Sequence, residues 1–153
     1  MIRVLFVCLG NICRSPMAEA LFRHRVRLAG LQDKIEADSA GTGDWHVGEP
    51  PHAGTARLLA ENKIEYDHCA RQLTLRDLND FDYIITMDAM NLEDVRALGR
   101  GRARVAPLLS FAPDAGTTEV PDPYYTGNFE EVYGLVSEAA DGLLAAIRRE
   151  HSL

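Results

Sequence analysis

Cysteine is scarce in this chain, and its three copies are not arranged for a disulfide framework or a metal site. Cys8, Cys13 and Cys69 leave one thiol over in any pairing, and their spacing matches no common zinc pattern. We therefore expect no metal and no cofactor. Unpaired thiols are typical of proteins that stay in a reducing compartment.

Positive charge and long apolar runs are also in short supply. Sixteen basic side chains against 23 acidic ones give a net charge of −7, which argues against a nucleic-acid or anionic-membrane surface as the partner. No stretch is long enough to cross a bilayer, and Met1 leads into a strand without the basic and apolar regions of a secretory signal. We expect a cytoplasmic protein with no nucleic-acid partner and no membrane insertion.

What is present is a pattern of alternating strands and helices. The 153 residues, 46% of them hydrophobic, suit one domain over 1–153 with no linker or repeat. The sequence predicts an α/β fold: a single three-layer domain with a central four-stranded parallel sheet, helices on both faces and the ligand site at the carboxyl ends of the strands. The predicted strands are 2–7, 35–40, 83–87 and 103–105, and the predicted helices are 17–30, 52–62, 91–98 and 128–149.

The residues between the first strand and the first helix are the most informative of the chain. Cys8 and Arg14 stand at the two ends of the run CLGNICR, which Ser15 follows directly. A strand, a glycine-containing loop and a helix, in that order, turn successive backbone N–H groups toward one point at the helix N-terminus. We therefore predict a phosphate-binding loop after the first strand, made of Leu9, Gly10, Asn11, Ile12, Cys13 and Ser15 together with its two ends.

Cys8 and Arg14 would give this loop a nucleophile and an anion clamp. A helix N-terminus and a nearby cation lower the pKa of a thiol, so that a thiolate forms near neutral pH. A guanidinium grips two phosphate oxygens at once. The Ser15 hydroxyl can donate to the sulfur, and Asn11 tolerates the left-handed backbone of a tight loop. The alternative, a structural cysteine beside a surface arginine, does not account for the whole run.

The proton donor that such chemistry needs has a candidate far along the chain. Expelling an alkoxide or phenoxide from phosphate requires an acid at the leaving oxygen, and the same group can then activate water. Asp122 lies between Pro121 and Pro123. Because a residue before proline is pushed out of helical geometry, we expect a stiff loop that presents this carboxyl. An Asp-Pro pair alone usually marks only a turn.

The early loop and the late acidic segment together resemble the low-molecular-weight protein tyrosine phosphatases. The resemblance covers essentially the full chain, since further segments match in family order: 38–41, 45–48, 68–72, 82–88 and 122–125. It implies a metal-independent phosphatase in which Cys8 is the nucleophile, Arg14 binds the phosphoryl group and Asp122 is the general acid. We expect a monomer that acts on tyrosine-phosphorylated proteins through a cysteinyl-phosphate intermediate.

The resemblance also implies roles for residues around the loop. It places Ser39 and His68 in a hydrogen-bond network that supports the loop, rather than making His68 a catalytic base. It places Tyr124, with Tyr125 beside it, in the substrate cleft. Trp45 either anchors its glycine-rich loop or forms an aromatic wall of the cleft, and we favour the wall.

Three side chains are less decided. Cys13 either fills the loop as a small buried side chain or traps an oxidised Cys8 as a disulfide within the loop. Asp88, at the end of a strand, either orients the loop arginine or neighbouring backbone, or simply caps a helix. Cys69 is interpreted as a packing residue.

Other functions compatible with a loop of this kind are less well matched. An arsenate reductase of the same superfamily needs further redox cysteines downstream, where only Cys69 remains. A protein-arginine phosphatase typically carries threonine at the position of Ile12 and lacks the paired tyrosines. A phosphocysteine carrier or a non-catalytic phosphate-binding module has no need of Cys8, Arg14 and Asp122 together.

Overall fold

The computed structural model describes residues 1–153 and contains one sheet of four parallel strands, in the order β2-β1-β3-β4. The sheet confirms the predicted fold class, and each strand lies within two residues of its expected bounds. The strands are β1 Ile2–Cys8, β2 Ile35–Gly41, β3 Tyr83–Thr86 and β4 Arg104–Pro107.

Six helices connect and cover these strands. They are α1 Arg14–Leu28, α2 Ala53–Glu61, α3 Asp77–Asp80, α4 Ala89–Leu98, α5 Pro123–Thr126 and α6 Phe129–His151, with a 3₁₀ turn at Leu108–Phe111. Helix α1 begins at Arg14 rather than at Met17, because Pro16 is tolerated in a first turn, where backbone N–H groups need no intrahelical partner. The single turns α3 and α5 were not predicted, since one turn is too short to show a helical period.

Alternation along β1 divides the interior into two cores. Val4 and Phe6 face a large core that includes residues of α1, α2 and α6. Leu5 and Val7 face a smaller core closed by α3 and α4. All four side chains are fully buried, and each such burial contributes about 2 kcal/mol relative to exposure. The sheet is therefore covered on both faces.

No helix of the protein is long and apolar enough to span a membrane.

Parallel register brings the ends of three strands to one edge of the sheet. Cys8, the last residue of β1, pairs with Gly41, the last of β2. On the other side of β1, Val7 pairs with Thr86, the last residue of β3. The loop after β1, the glycine-rich connection after β2 and the turn into α4 therefore meet at this edge.

Candidate active site

The loop that joins β1 to α1 wraps around the Cys8 sulfur. Asn11 has a φ of 58°, the left-handed conformation expected of it. Its backbone N–H donates to Cys8 Sγ at 3.3 Å. Cys13, the N-cap of α1, makes no side-chain capping bond, so the first-turn N–H groups remain available at the loop. The loop therefore places a helix N-terminus, where an anion can bind, beside the Cys8 sulfur.

The Ser15 hydroxyl is directed at the same sulfur. Ser15 Oγ lies 3.0 Å from Cys8 Sγ and accepts a hydrogen bond from Asn11 Nδ2 at 2.8 Å. Because Asn11 occupies the acceptor side of this oxygen, the hydroxyl hydrogen is free to point toward the sulfur. Two donors, the Ser15 hydroxyl and the Asn11 backbone N–H, thus converge on Cys8 Sγ.

The Asn11 side chain is held by residues from distant parts of the chain. Its Oδ1 accepts from the backbone N–H of Arg71 at 3.0 Å, which fixes the orientation of the amide. His68 Nε2, 2.8 Å from the same oxygen, must then be a donor. On the other side, Asn11 Nδ2 also donates to Ser39 Oγ at 3.0 Å. The structure thus brings Ser39 and His68 together with the loop, and every hydrogen-bonding position of the Asn11 amide is used.

A buried carboxylate that sequence reasoning did not single out lies behind this network. Glu19 is only 3% exposed, and its Oε1 accepts from Ser39 Oγ at 2.7 Å and from the Tyr66 hydroxyl at 2.8 Å. Its other oxygen pairs with Arg23 at 3.0 Å. Burial and the Glu19 charge raise the pKa of Tyr66, so that its hydroxyl remains a donor. The sequence did contain a sign of this role, because Glu19 is the only acid in the otherwise apolar run 17–22 and a buried carboxylate requires partners.

The Arg14 side chain is almost fully buried and is oriented by two fixed acceptors. Its Nη1 donates to Asp88 Oδ2 at 2.6 Å and to the Val120 carbonyl at 3.0 Å. Burial lowers the pKa of Arg14, but the Cys8 charge and the Asp88 bond outweigh burial and raise it overall. With Nη1 occupied, the N–H groups of Nε and Nη2 form the edge that can grip two oxygens of a phosphate.

Asp88 has both of the functions that the sequence left open. Its Oδ2 orients Arg14, while its Oδ1 accepts from the backbone N–H of Asn91 at 2.8 Å as the N-cap of α4. One carboxylate therefore connects the start of α4 to the phosphate-binding loop.

Asp122 lies across the cleft from the loop and caps a helical turn. Its backbone is extended, as expected before Pro123, but the residues after it form α5 rather than a stiff loop. Asp122 Oδ1 accepts from the Tyr124 backbone N–H at 3.1 Å, and Oδ2 lies 3.4 Å from Arg14 Nη2. The cap fixes the carboxyl beside the guanidinium, at the mouth of the loop.

These residues line a cleft of about 350 Å³. Its floor is the loop, and its walls are Trp45, His46, Asp122, Tyr124 and Tyr125. The predicted wall residues are exposed, with Trp45 at 68% and Tyr125 at 74%. The cleft is therefore open, deep at the sulfur and lined by aromatic rings at its mouth.

His46 is a wall residue that sequence reasoning missed. Its ring lies 5.8 Å from that of Tyr124, and its Nδ1 contacts Glu49 at 2.9 Å. A β-carbon added to Gly10 would lie 2.9 Å from the His46 ring, so the glycine allows the imidazole to approach the loop. Nothing in the local sequence distinguishes this histidine, because its position depends on how the glycine-rich connection folds back.

Comparison with known proteins decides the family. The sequence model of the low molecular weight phosphotyrosine protein phosphatases matches residues 3–153. The chain belongs to this family. It is 52% identical over 156 residues to the low molecular weight protein-tyrosine-phosphatase YfkJ of Bacillus subtilis, with 100% of both chains covered. It is 45% identical to PtpA of Staphylococcus saprophyticus, over 100% of this chain and 98% of that protein.

Solved structures of the family confirm the fold of this phosphatase. The crystal structure of Bacillus subtilis YfkJ superposes with a TM-score of 0.96 over 98% of this chain and 96% of that one, at 52% identity. A Drosophila arginine phosphatase superposes with a TM-score of 0.91 over 96% of this chain and 98% of that one, at 33% identity. The fold is thus shared by proteins named for two different phosphorylated residues.

A second cysteine in the loop of this phosphatase has a distinct electrostatic environment. Burial, followed by the charges of Cys8 and Asp122, raises the pKa of Cys13 to about 12. Cys13 is therefore a neutral thiol near neutral pH. Cys69, in contrast, is exposed, so its interpretation as a packing residue is wrong.

One group of side chains in the phosphatase has the composition of a cation site. The ligand atoms of Glu19, Asp38 and His68 lie within 4.8 Å of one another. However, Glu19 is paired with Arg23 at 3.0 Å, and Asp38 with Arg71 at 3.1 Å. The negative charge of this group is already balanced by guanidinium groups, which a cation would have to displace.

Proposed function

We propose that this chain hydrolyses phosphotyrosine in proteins through a cysteinyl-phosphate intermediate. The observation that supports it most is the convergence of Cys8, Arg14 and Asp122 on one open cleft. The cleft is deep enough to place a phosphate at the sulfur while an aryl ring lies between the aromatic walls. A shorter side chain such as phosphoserine would leave those walls without contacts.

In the first step the Cys8 thiolate attacks phosphorus, and the bond from phosphorus to the phenol oxygen breaks. Arg14, through Nε and Nη2, and the loop N–H groups bind the three remaining oxygens, where charge develops in the transition state. The Asp122 carboxyl gives its proton to the departing phenol oxygen. Asp122 is then a carboxylate at the place the phenol has left.

In the second step water takes the place of the phenol. Asp122 accepts a proton from the water as its oxygen attacks phosphorus, and the bond between sulfur and phosphorus breaks. The sulfur leaves as a thiolate, which receives the hydrogen bonds of the Ser15 hydroxyl and the Asn11 N–H. Inorganic phosphate is released, and the site returns to its starting protonation state.

Supporting residues keep this machinery in place in the proposed mechanism. Asp88 positions Arg14, and Ser39, His68 and Glu19 hold the loop through Asn11. The walls formed by Trp45, Tyr124 and Tyr125 bind the ring of the substrate. The likeness to an arginine phosphatase makes phosphoarginine the rival substrate, and Ile12 together with the paired tyrosines favours phosphotyrosine.

The proposal also covers the working form of the protein. Residues 1–153 act as one domain and as a monomer. The reaction requires Cys8 as a free thiol, and all three cysteines are unpaired, which favours action in the reducing cytoplasm.

A substrate panel with a matched cysteine variant tests this function. Peptides of one sequence that carry phosphotyrosine, phosphoserine or phosphoarginine are compared, with and without a chelator. Wild type is expected to favour phosphotyrosine in either condition, and Cys8→Ser to abolish turnover because a serine hydroxyl is not ionised at neutral pH. Cys69→Ser, at an exposed thiol outside the cleft, is the control and should remain active.

Acid quenching during turnover should trap phosphate on the wild-type protein but not on Cys8→Ser. Near-normal activity of Cys8→Ser, or loss of wild-type turnover with a chelator, would contradict the mechanism. A preference for phosphoarginine would replace the proposed substrate with its rival.

A further inference from the structure

A second cavity lies beside the candidate active site, on the other side of Trp45. Its volume is about 290 Å³, and Leu9 and Trp45 line both this cavity and the active-site cleft. The remaining wall is formed by Gln72 and Leu73 and by Asp94 and Leu98 of α4. The two cavities are thus adjacent and share Leu9 and Trp45 as lining residues.

The position of this ring depends on a glycine. A β-carbon on Gly43 would lie 1.8 Å from the Trp45 ring, so only glycine allows the indole to fold against the backbone there. Next to it, the Thr42 carbonyl accepts from Gln72 Nε2 at 3.2 Å, which joins two walls of the second cavity. The cavity is therefore built by defined contacts between the loop after β2 and the segment before α3.

The second cavity has a mixed lining, in which Leu9, Trp45 and Leu98 supply apolar surface and Asp94 supplies one unmatched negative charge. Asp94 and Leu98 are one helical turn apart and share a face of α4. The Asp94 carboxylate makes no ion pair within the chain, and Arg71, which precedes Gln72 in the sequence, is already bound to Asp38 and Asp77. Arg96, two residues along α4, lines a different depression. An occupant with an apolar stem and a terminal cation would complement this cavity.

We propose that this cavity is a subsite for a basic side chain, lysine or arginine, that flanks the phosphotyrosine of the substrate. The proposal rests on the function proposed above. With the phosphate at Cys8 and the tyrosine ring against one face of Trp45, a neighbouring residue of an extended peptide reaches the other face. Its methylene groups contact Leu9, Trp45 and Leu98, and its cation meets Asp94. The net charge of −7 favours the approach of such a peptide.

Matched phosphotyrosine peptides test the subsite. A single lysine, norleucine or glutamate is moved one residue at a time along each side of the phosphotyrosine, and kcat/KM is measured. At the position that reaches the cavity, wild type should favour lysine over norleucine by about two- to fivefold, the range that a half-exposed ion pair gives. The difference should lie in KM, because the contact forms equally in the ground and transition states.

Asp94→Asn should remove the preference for lysine over norleucine and leave turnover of p-nitrophenyl phosphate unchanged. Glu93→Gln is the matched control, because it removes the same charge from the adjacent, exposed position of α4. Asp94→Lys should shift the preference toward the glutamate peptide. Leu98→Ala should weaken the lysine and norleucine peptides equally.

Equal wild-type rates for lysine and norleucine peptides at every position would overturn the subsite. An equal effect of Glu93→Gln and Asp94→Asn would reduce it to a general field effect and also overturn it. Either result leaves the proposed function standing as long as the peptides are hydrolysed. Failure of wild type to hydrolyse any phosphotyrosine peptide would instead contradict the function itself.

Discussion

Replacing Asp122 by asparagine separates its proposed chemical role from its structural one. Asparagine keeps an oxygen that can accept the Tyr124 backbone N–H, so the cap of α5 is retained. The substitution removes the negative charge that faces Arg14. This contact is long, with 3.4 Å between Asp122 Oδ2 and Arg14 Nη2, and the Asp122 side chain is 24% exposed. We therefore expect a loss of stability below about 1 kcal/mol, or a fall in Tm of less than about 4 °C.

The effect on rate should be far larger and should depend on the leaving group. Loss of a general acid costs about two to four orders of magnitude for a leaving group as basic as the phenol of tyrosine. This corresponds to roughly 3–5 kcal/mol of transition-state stabilisation. An activated nitrophenol leaves readily as the anion, so its ester should lose much less.

The assay must isolate the step in which the phenol departs. Asp122 is also proposed to activate water, and steady-state rates limited by hydrolysis of the intermediate would hide the difference. Pre-steady-state release of the phenol reports on the first step alone. Asp44→Asn, at an exposed position outside the cleft, is the control. Equal losses for both esters, or a loss explained by unfolding, would refute the general-acid role.

Two further predictions concern the loop. Arg14→Lys should lower kcat by about two orders of magnitude or more, because an ammonium group keeps the charge but cannot bind two oxygens at once. A kcat near that of wild type on an aryl phosphate would show that Arg14 has only a structural role. The second prediction concerns Cys13, whose pKa is raised to about 12 in the folded protein. As the pH rises, this thiol ionises first in the unfolded chain. The folded state therefore loses stability as the pH rises from the ordinary thiol pKa to about 12. Urea unfolding across this range should show a steeper decline for wild type than for Cys13→Ala, and parallel curves would contradict the assigned environment.

Much of the fold was predictable because its signals are local. The run 4–7 is uniformly apolar and fully buried, as a strand covered on both faces must be, and the loop that follows has a recognisable order of residue types. Asn11 was predictable for the same reason, since tolerance of a left-handed backbone is a property of the residue itself. Boundaries were less accurate because caps and tertiary contacts decide the last turn of a helix.

The rest of the site depends on contacts between distant residues. Arg14 meets Asp88 across 74 residues and Val120 across 106, and no spacing rule relates such positions. Glu19 was overlooked because its partners Ser39 and Tyr66 come from β2 and from the segment before α3. His46 was missed because its placement follows from the path of a loop. Position in the folded chain, rather than residue type, brings these side chains to the site.

The complete hydrogen bonding of Asn11 makes the shape of the candidate active site depend on residues far apart in the chain. Its partners Ser39, His68 and Arg71 lie 28, 57 and 60 residues away along the chain. Strand β1 and helix α1 flank the loop in the sequence, but they cannot fix its shape on their own. The hydrogen bonds of Asn11 to distant residues form only when β2 and the 68–71 segment are in place. Local opening of that segment would break the hydrogen bonds of Asn11 with His68 and Arg71 while leaving the strands and helices in place. We therefore expect the geometry around Cys8 to form only in the complete fold, and a partly unfolded chain to lose activity before it loses its helices.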